Sequence, residues 1–431
     1  MRVGEQRVGE QFCPGVLHPV QAMDGLLLRI RTPGGMIAAD QLRTIADLSR
    51  SFADGAVEIT SRSNLQLRAI RGQDLSQIVA GISSAGFLPS PLHDRVRNLV
   101  ASPIAGLDGE ELIDPRPLIR ELDRRLRAET VFANLHPKFS FAIHGGPRRF
   151  SPEVDDLSLE AVMLGAAPHF HLCIGGASSG FAVRSEDAVH CMLAAAKMCI
   201  GLAKQSRLPV RGKNFAASPG GMEGVAGALS HLLAPSALSP SSRFEEALLG
   251  AYPTPQPDRV SIIPSVALGR LTAEQAHCVA DAAERWDGDL RLAPWRGVVL
   301  GSIPKSAADD VIGRLLAAGL SCDGRDGFRG IAACAGIGGC GASLADVRGD
   351  AVSLARRLAG CAAPAGWTVN LSGCEKQCGR RRGAAAELVA GPSGYSLKIA
   401  GRPVASGCSR DFAMDAVAAR RRELLSEAAA R

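Results

Sequence analysis

The sequence predicts an α+β fold that arose by internal duplication, with two small half-domains and two larger α+β modules related by a pseudo-two-fold axis. One order of predicted strands and helices occurs twice along the chain. Landmark residues recur at a nearly constant separation of 232 or 233 positions. Four closely spaced cysteines near the carboxyl end have no cysteine counterparts in the first copy. We expect a cleft between the two halves of such a molecule, where ligands tend to bind.

Each small half-domain is predicted to run in the order strand, helix, two strands, helix. In the first copy an apolar strand at 25–31 precedes the helical pattern ADQLRTIADLSRSFA. A turn at Asp54 leads into the alternating run VEITSRSNLQLRAI, and a second helix ends at Gly86. The second copy has the same order in VSIIPSVALG, TAEQAHCVADAAERW, LRLAPWRGVVLGSI and ADDVIGRLLAAG. Its turn at Asp287 and its last glycine, Gly319, lie 233 positions after their counterparts.

The larger modules repeat as well. Asp114 and Arg116 recur as Asp346 and Arg348 at a separation of 232 positions. The strand-like string KFSFAIHGG in the first module resembles WTVNLSGCE in the second. We therefore predict five consecutive segments, which are an N-terminal extension at 1–19, a first half-domain at 20–90, a first module at 91–250, a second half-domain at 251–321 and a second module at 322–431.

The composition is that of a globular protein and excludes several classes of function. Hydrophobic residues make up 46% and charged residues 21% of the 431 residues. Aromatic residues make up only 4%, which argues against a nucleic-acid surface built on base stacking. Without a recognisable secretory signal or a membrane-length apolar run, we expect a cytoplasmic protein with neither nucleic-acid nor membrane partners. The net charge of +6, mostly from arginine, indicates an anionic partner.

Four cysteines in the second module carry the clearest chemical signal. The strings ACAGIGGCGAS and LSGCEKQCGR give a C-x5-C pair, a gap of 33 residues and a C-x3-C pair. In the first copy, the positions 232 residues before the first pair hold Ser102 and Asp108. Structural zinc sites favour other spacings, and simple burial of the thiols is a further alternative. Because iron–sulfur clusters are held by thiolates, we predict a 4Fe-4S cluster on Cys334, Cys340, Cys374 and Cys378.

These motifs resemble those of the nitrite and sulfite reductase superfamily, whose members hold sirohaem beside a 4Fe-4S cluster. The cysteine spacing and the string SGCEKQCGR carry the resemblance. ITSRSNLQLRAI is similar to a segment whose arginine lines the sirohaem and substrate pocket, which implies that role for Arg62. LHPKFSFAIHGG is similar to a segment with two pocket lysines, of which Lys138 matches the first while Ser140 replaces the second. The resemblance implies a duplicated fold with two ferredoxin-like half-domains.

A narrower resemblance, from about Cys13 to Ala400, is to the precorrin-3B synthase family. CPGVLHPVQAMDGLLLRIRTPGG, TSRSNLQLRAI, DPRPLIREL and LAPWRGVVLGSIP carry it. It implies an oxygenase of aerobic cobalamin biosynthesis that uses dioxygen to hydroxylate precorrin-3A at C20 with γ-lactone formation. Since no dinucleotide-binding motif follows a predicted strand, the electrons would come from an external NADH-linked reductase or a ferredoxin. A sirohaem-dependent sulfite or nitrite reductase, and a non-catalytic iron–sulfur redox or tetrapyrrole-binding protein, are the alternatives.

The implied substrate carries many carboxylates, each of which needs a cation or an N–H donor once it leaves water. We predict that its ligands are Arg29, Arg31, Arg62, Arg68, Lys138, Arg211, Lys213 and Arg296. A solvated surface charge is the alternative for each of them. The resemblance also implies a mononuclear non-haem iron, for which His169 and His171, or His136 and His144, are candidate ligands without an assigned carboxylate partner. No catalytic residue is assigned.

Overall fold

The computed structural model describes residues 13–151, 153–206, 208–236, 243–364, 366–380 and 383–429. Most of the predicted N-terminal extension, residues 1–12 of the segment 1–19, lies outside the described residues. Within the described ranges, no helix is both long enough and apolar enough to cross a membrane.

The first half-domain is an antiparallel sheet covered by two helices. Its elements are β1 (Val20–Ala22), β2 (Gly25–Ile30), α1 (Ala39–Phe52), β3 (Ala56–Ile59), β4 (Leu65–Ile70) and α2 (Leu75–Ser84). The strand order is β1-β2-β4-β3. Leu42, Ile45 and Ala46 recur at helical spacing on α1 and are fully buried in the core. Gly55 turns the chain before β3 with a φ of 77°, which glycine adopts without strain.

The first module is a six-stranded mixed sheet with helices on one face. Its elements are β5 (Leu99–Ala101), α3 (Arg116–Ala128), β6 (Phe141–His144), β7 (Arg148–Arg149), β8 (Leu157–Leu164), β9 (Ala167–Ile174), β10 (Ala177–Val183), α4 (Ala188–Ser206), α5 (Gly212–Ala216), α6 (Gly221–Ala228), β11 (Leu233–Pro235) and β12 (Arg243–Phe244). The order is β5-β6-β8-β9-β10-β11. The first three strands run parallel, and the later neighbours are antiparallel. Alternate residues of these strands, such as Phe141 and Leu159, enter the apolar core.

The second half-domain repeats the first and shares its core. Its elements are β13 (Gly250–Pro253), β14 (Arg259–Ile263), β15 (Arg270–Thr272), α7 (Ala273–Arg285), β16 (Asp289–Ala293), β17 (Gly297–Pro304) and α8 (Ala308–Ala317). Four strands form a sheet in the order β13-β14-β17-β16, whereas β15 pairs with β3 and extends the first sheet. Helix α1 packs on α7, and buried residues of both half-domains belong to one apolar cluster.

The second module has the topology of the first. Its elements are β18 (Ile331–Ala333), α9 (Val347–Leu358), β19 (Val369–Ser372), β20 (Ala386–Gly391), β21 (Gly394–Ile399), β22 (Arg402–Cys408) and α10 (Arg410–Ala429). The order β18-β19-β20-β21-β22, with two parallel pairs followed by two antiparallel pairs, matches β5-β6-β8-β9-β10. The predicted duplicated α+β architecture is therefore confirmed. Because β18 and β19 are parallel neighbours, the loops that follow them leave the sheet at the same edge.

Candidate functional site

The two cysteine pairs lie in the loops that follow β18 and β19. Ala333, the last residue of β18, is in register with Leu371 of β19, so Cys334 and Cys374 follow neighbouring strand ends. The amide of Cys334 donates to the carbonyl oxygen of Leu371 at 3.2 Å. The amide of Gly373 donates to the Sγ of Cys334 at 3.3 Å. The first and third predicted cluster cysteines are thus brought together.

The other two cysteines lie in segments that contact the same place. In the loop of Cys340, the amide of Leu344 donates to the carbonyl oxygen of Gly373 at 2.8 Å. A Cβ built on Gly379, the residue after Cys378, would lie 3.2 Å from the amide nitrogen of the first cysteine. Cys378 is exposed, and the other three thiols are partly exposed. The structure therefore gathers all four cysteine-bearing segments at one sheet edge.

Glycines around these cysteines form a cradle that larger side chains would fill. A Cβ on Gly373 would lie 1.8 Å from the Oγ of Ser343, and one on Gly379 would lie 2.6 Å from the Oδ1 of Asn370. Gly336 has a φ of 72°. Such loops allow backbone N–H groups to approach the sulfides of a cluster, where they stabilise its negative charge. The residues present fit a 4Fe-4S cluster.

A single metal ion fits this donor set less well. Among the residues that the structure describes, no three His, Cys, Asp or Glu side chains converge as the ligands of one ion do. A cubane cluster presents separate iron corners, so its thiolates are spaced more widely than the ligands of one zinc ion. The C-x5-C and C-x3-C spacing of the sequence is the argument for the cluster over structural zinc.

Two of the arginines predicted to bind substrate contact the cysteine loops. The Nη2 of Arg68 donates to the carbonyl oxygen of Gly339 at 2.6 Å, and its Nε donates to Asp24 at 2.9 Å. The Nη2 of Arg296 donates to the carbonyl oxygen of Gly379 at 2.5 Å. Gly339 and Gly379 each adjoin a predicted cluster cysteine. Substrate binding by these two arginines stays a prediction.

Arg29 and Arg31 surround a buried thiol, Cys13, for which the sequence pattern suggested no role. The Nη1 of Arg29 and the Nη2 of Arg31 lie 3.6 and 3.5 Å from its Sγ. Burial raises the pKa of the Cys13 thiol, but the charges of Arg31, Arg29 and Arg62 outweigh burial and lower it. Arg31 is 1% exposed, and its Nε and Nη1 have no hydrogen-bond partner within the described chain. An anionic ligand group would satisfy these donors.

A partly buried chain of hydrogen bonds links Arg29 to the second module. The Nη2 of Arg29 donates to Gln66 at 3.0 Å, and Gln66 donates to Glu58 at 2.8 Å. Glu58 also accepts from Arg270 and, at 2.5 Å, from Arg348 of α9. Burial raises the pKa of Glu58, but Arg348 and Arg270 outweigh burial and lower it. A lone glutamate on an alternating strand carries no sequence signal, so this connection was not predictable.

Arg62 and Lys138, the two residues matched to the superfamily pocket, lie next to each other. The Nη1 of Arg62 donates to the carbonyl oxygen of Lys138 at 3.2 Å, and its Nε donates to Glu153 at 3.1 Å. The amide of Lys138 donates to the Nδ1 of His136 at 3.1 Å. Burial raises the pKa of the neighbouring Asp155 to about 6. The hairpin that carries Arg62 is thus connected to the first module.

Arg296 lies close to charged residues of both half-domains and to the loop that carries Cys334. Burial lowers the pKa of Arg296 most, the charges of Glu58 and Glu153 raise it, and the charge of Arg29 lowers it. Arg31 also borders a cavity of about 320 Å³ that contains further arginines. One of these is Arg97, whose Nε donates to Asp123 at 2.7 Å.

The remaining predicted cations lie at α5. The Nε of Arg211 donates to Asp156 at 2.7 Å, and the same carboxylate accepts the amide of Ser140 at 3.0 Å. Lys213 is exposed, and its backbone packs against Gly175. Arg211 is thus connected to the Lys138 segment through a carboxylate, whereas Lys213 points to the surface.

The candidate histidines for a mononuclear iron are not brought together as a triad. His171 is buried and its Nε2 lies 2.8 Å from the Oγ of Ser178, whereas His169 is partly exposed. His144 is in register with Glu160, which is in register with His171 on the next strand. In the described ranges these side chains do not form a three-ligand group. We therefore assign no ligands to a mononuclear iron.

Two family profiles match this chain. The nitrite/sulfite reductase ferredoxin-like half domain matches residues 18–85 and 252–318. The nitrite and sulphite reductase 4Fe-4S domain matches residues 93–190. Together the matches span more than half of the sequence. The chain belongs to the nitrite/sulfite reductase superfamily. The chain is therefore an oxidoreductase, and the 4Fe-4S domain match supports an iron–sulfur cluster.

Individual members of the superfamily are similar over most of the chain. A precorrin-3B synthase from Sinorhizobium sp is 28% identical over 90% of this chain and 82% of its own length. A ferredoxin–nitrite reductase from Synechococcus elongatus is 27% identical over 82% of this chain and 74% of its own length. The NirA protein of Mycobacterium tuberculosis has a similar fold, with a TM-score of 0.76 at 22% identity over 91% of this chain and 79% of that chain.

The 4Fe-4S domain match falls on the first module, which does not contain the four proposed cluster cysteines. Residues 93–190 contain a single cysteine, Cys173, and burial raises its pKa to about 11. The four clustered cysteines lie in the second module, which repeats the topology of the first. The position of the profile match therefore does not mark the candidate cluster site. The four cysteines, in the second module that repeats the topology of the first, mark it.

Proposed function

We propose that this chain catalyses the dioxygen-dependent conversion of precorrin-3A to precorrin-3B in aerobic cobalamin biosynthesis. One oxygen atom enters the product as a hydroxyl at C20, a ring A acetate closes the γ-lactone, and the other oxygen atom leaves as water. The two electrons and two protons that water formation requires come from an external donor, an NADH-linked reductase or a ferredoxin. One observation carries this choice of reaction. Similarity to the precorrin-3B synthase extends over 90% of this chain and 82% of that protein, more of both than the nitrite reductase match.

The proposed ligands of the macrocycle are the cations around the cleft. Arg31 has two buried N–H donor nitrogens that a carboxylate would satisfy. Arg29 lies beside it, and Arg62 and Lys138 approach from the hairpin and the first module. Bound carboxylates would be held in fixed directions, because bidentate contacts to a guanidinium orient the ligand as well as attract it. In this proposal the arginines position the macrocycle next to the cysteine loops.

The proposed cluster ligands are the four thiolates of the second module. When bound there, a 4Fe-4S cluster supplies electrons one at a time, as the reaction of dioxygen with a closed-shell molecule requires. The glycine-rich loops would hold the thiolates and direct N–H groups toward the sulfides. The exposed position of Cys378 agrees with a redox centre that faces a ligand cleft.

The product of the reaction tests this proposal. Protein purified without air is incubated with precorrin-3A, a chemical reductant and isotopically labelled dioxygen, and the product is weighed by mass spectrometry. We expect one labelled oxygen atom in the product. Omitting either dioxygen or the reductant should leave precorrin-3A unchanged. Unlabelled or absent product from protein that retains its cluster would refute the proposed reaction.

A sirohaem-dependent sulfite or nitrite reductase is the second candidate, since a ferredoxin–nitrite reductase matches at similar identity. Ser140 counts against it, because it replaces the second lysine of the superfamily pocket. The absorption spectrum of the purified protein separates the two. Sirohaem has strong visible bands, whereas a cluster alone has a broad shoulder at about 400 nm. Strong visible bands, together with sulfite or nitrite reduction, would favour the reductase.

A further inference from the structure

Two equivalent hairpins, one in each half-domain, approach the cleft with different contacts. The hairpin between β3 and β4 carries Arg62 and Ser63, and the hairpin between β16 and β17 carries Arg296. Ser63 and Arg296 are 233 positions apart and share a left-handed backbone, with φ values of 53° and 67°. The two hairpins thus have the same turn. Arg62 lies one position before the left-handed residue of its turn, whereas Arg296 is itself the left-handed residue.

The arginine of the first hairpin contacts the first module. Arg62 donates to Glu153 and to the carbonyl oxygen of Lys138, so its guanidinium lies beside the segment matched to the superfamily pocket. None of the contacts that we find for Arg62 in the described chain is to a cysteine loop. Its guanidinium is paired with Glu153 and faces the first module.

The arginine of the second hairpin contacts both cysteine loops. The Nη1 of Arg296 donates to the carbonyl oxygen of Ala333, the residue before Cys334, at 3.4 Å. Its Nη2 lies 3.5 Å from the carbonyl oxygen of Cys378 and 2.5 Å from that of Gly379. One guanidinium therefore bridges the two loops that carry the first and the last of the four cysteines.

The local structure around Arg296 is built for this contact. A positive φ is costly for a residue with a side chain, so other contacts must hold it in place. Gly269 makes room for the side chain, because a Cβ there would lie 2.6 Å from the Cβ of Arg296. The three carbonyl contacts engage three of the five N–H donors that this guanidinium could offer to a ligand.

We propose that Arg296 is a positioning residue that fixes the spacing of the two cysteine loops and raises the reduction potential of the cluster. This inference rests on the cluster of the proposed function and replaces the prediction that Arg296 binds substrate. A reduced cluster carries one more negative charge than an oxidised one. A guanidinium held beside it in a partly buried place therefore favours the reduced form.

The test compares Arg296→Gln, Arg296→Lys and Arg62→Gln in the full chain, purified without air. Three quantities are measured. They are the iron and acid-labile sulfide content, the midpoint potential from an optical titration at about 400 nm, and the affinity for uroporphyrin, a porphyrin with acetate and propionate arms. Arg62→Gln is the matched control, because it makes the same charge change in the equivalent hairpin of the other copy.

We expect Arg296→Gln to lower the midpoint potential and to lose its cluster several-fold faster in the presence of an iron chelator, with uroporphyrin affinity within about twofold of wild type. Arg296→Lys keeps the charge but lacks the wide planar fork that reaches both loops, so it should restore the potential while the cluster is still lost faster. Arg62→Gln should weaken uroporphyrin binding roughly tenfold, as the loss of a charge-assisted hydrogen bond predicts, with an unchanged potential.

Two outcomes would overturn the inference while the proposed function survives. One is a normal potential and normal cluster retention in Arg296→Gln. The other is a weakening of uroporphyrin binding in Arg296→Gln as large as that in Arg62→Gln. Wild-type protein without iron and sulfide would overturn both the inference and the proposed function. Should Arg296→Gln fail to fold, Arg296→Lys decides the question of loop positioning, because only faster cluster loss supports it.

Discussion

The loops that follow β5 and β18 occupy equivalent places in the two modules, yet only one of them carries cysteines. The same backbone hydrogen bond ties each loop to the next strand end. The amide of Leu112 donates to the carbonyl oxygen of Gly145 at 2.7 Å, and that of Leu344 donates to Gly373 at 2.8 Å. A Cβ on either glycine would meet an oxygen atom 1.8 Å away. The backbone frame of the proposed cluster site is therefore present twice.

The side chains on that frame have diverged. Ile104 and Leu107 of the first loop are 3% and 5% exposed and belong to an apolar cluster. The positions 232 residues later hold Gly336 and Gly339. Ile337 of the second loop is 58% exposed. The first loop thus stabilises the fold by burying apolar surface, whereas the second leaves its backbone accessible to a cluster.

The largest effect is expected from removing a proposed cluster ligand. In Cys334→Ser the cluster loses one of four thiolates, and a hydroxyl is a poor substitute for it. We expect iron and acid-labile sulfide to fall to almost none, together with the absorbance at about 400 nm. Cys278→Ser, on α7 and outside the cysteine loops, is the control and should retain the cluster. A full cluster in Cys334→Ser would remove this residue from the site.

The next largest effect is expected from truncating the buried side chain of the first loop. Leu107→Ala should lower the free energy of unfolding by about 2–5 kcal/mol, because the cavity left behind is only partly refilled. Ile337→Ala in the second loop should change it by less than about 0.5 kcal/mol, since that side chain already contacts water. Urea unfolding of both variants measures the difference. Equal losses would show that the second loop is packed as tightly as the first.

A third prediction concerns the strand ends next to these loops. By strand register, β6 ends at His144 where β19 ends at Ser372. Burial, with a smaller contribution from Arg149, lowers the pKa of His144 to about 3. The native imidazole is therefore neutral at pH values where the unfolded chain already binds a proton. The contribution of the neutral imidazole to the free energy of unfolding is complete above about pH 6.5. As the pH falls from there toward 3, the protein loses about 1.4 kcal/mol of stability per pH unit.

His144→Leu should abolish this dependence. Both ring nitrogens lack partners within the described chain, so an apolar side chain costs little at neutral pH. Between about pH 7.5 and 4.5, the variant should gain roughly 2–3 kcal/mol of stability relative to wild type. Urea unfolding at the two pH values measures it, and Ser372→Ala in the second module should show no such gain. Parallel pH profiles of His144→Leu and wild type would contradict the prediction.

The duplication was predictable because it leaves equal separations between landmarks. Gly86 and Gly319 end equivalent helices, and such positions need the same backbone conformation in both copies. Predicting that the cysteines lie together requires one further fact, which is that β18 and β19 are neighbours in the sheet. That fact depends on pairing between strands that are far apart in the sequence. Local patterns identify a strand and its buried face but not its partner.

The contacts of the charged side chains were the least predictable part. Strand alternation indicates which face Arg68 occupies, but not that Gly339, 271 positions later, packs there. Cys13 lies beside Arg31 because the chain folds back over β2. The role of a cation in this cleft depends on such long-range neighbours. Arg62 and Lys138, which a motif indicated, lie side by side, whereas Lys213, which its charge alone indicated, points to the surface.

The smallest effect is expected from removing the ion pairs between α1 and α7, where the two half-domains pack together. On α1 and α7, Arg43 pairs with Asp281 at 2.8 Å and with Glu284 at 2.6 Å, but these carboxylates are 67% and 65% exposed. Arg43→Gln should therefore cost less than about 1 kcal/mol, and the cost should shrink at high salt. Ile45→Ala, on the buried face of α1, should cost about 2–5 kcal/mol. Equal costs in urea unfolding would mean that ion pairs, and not the shared apolar core, join the halves.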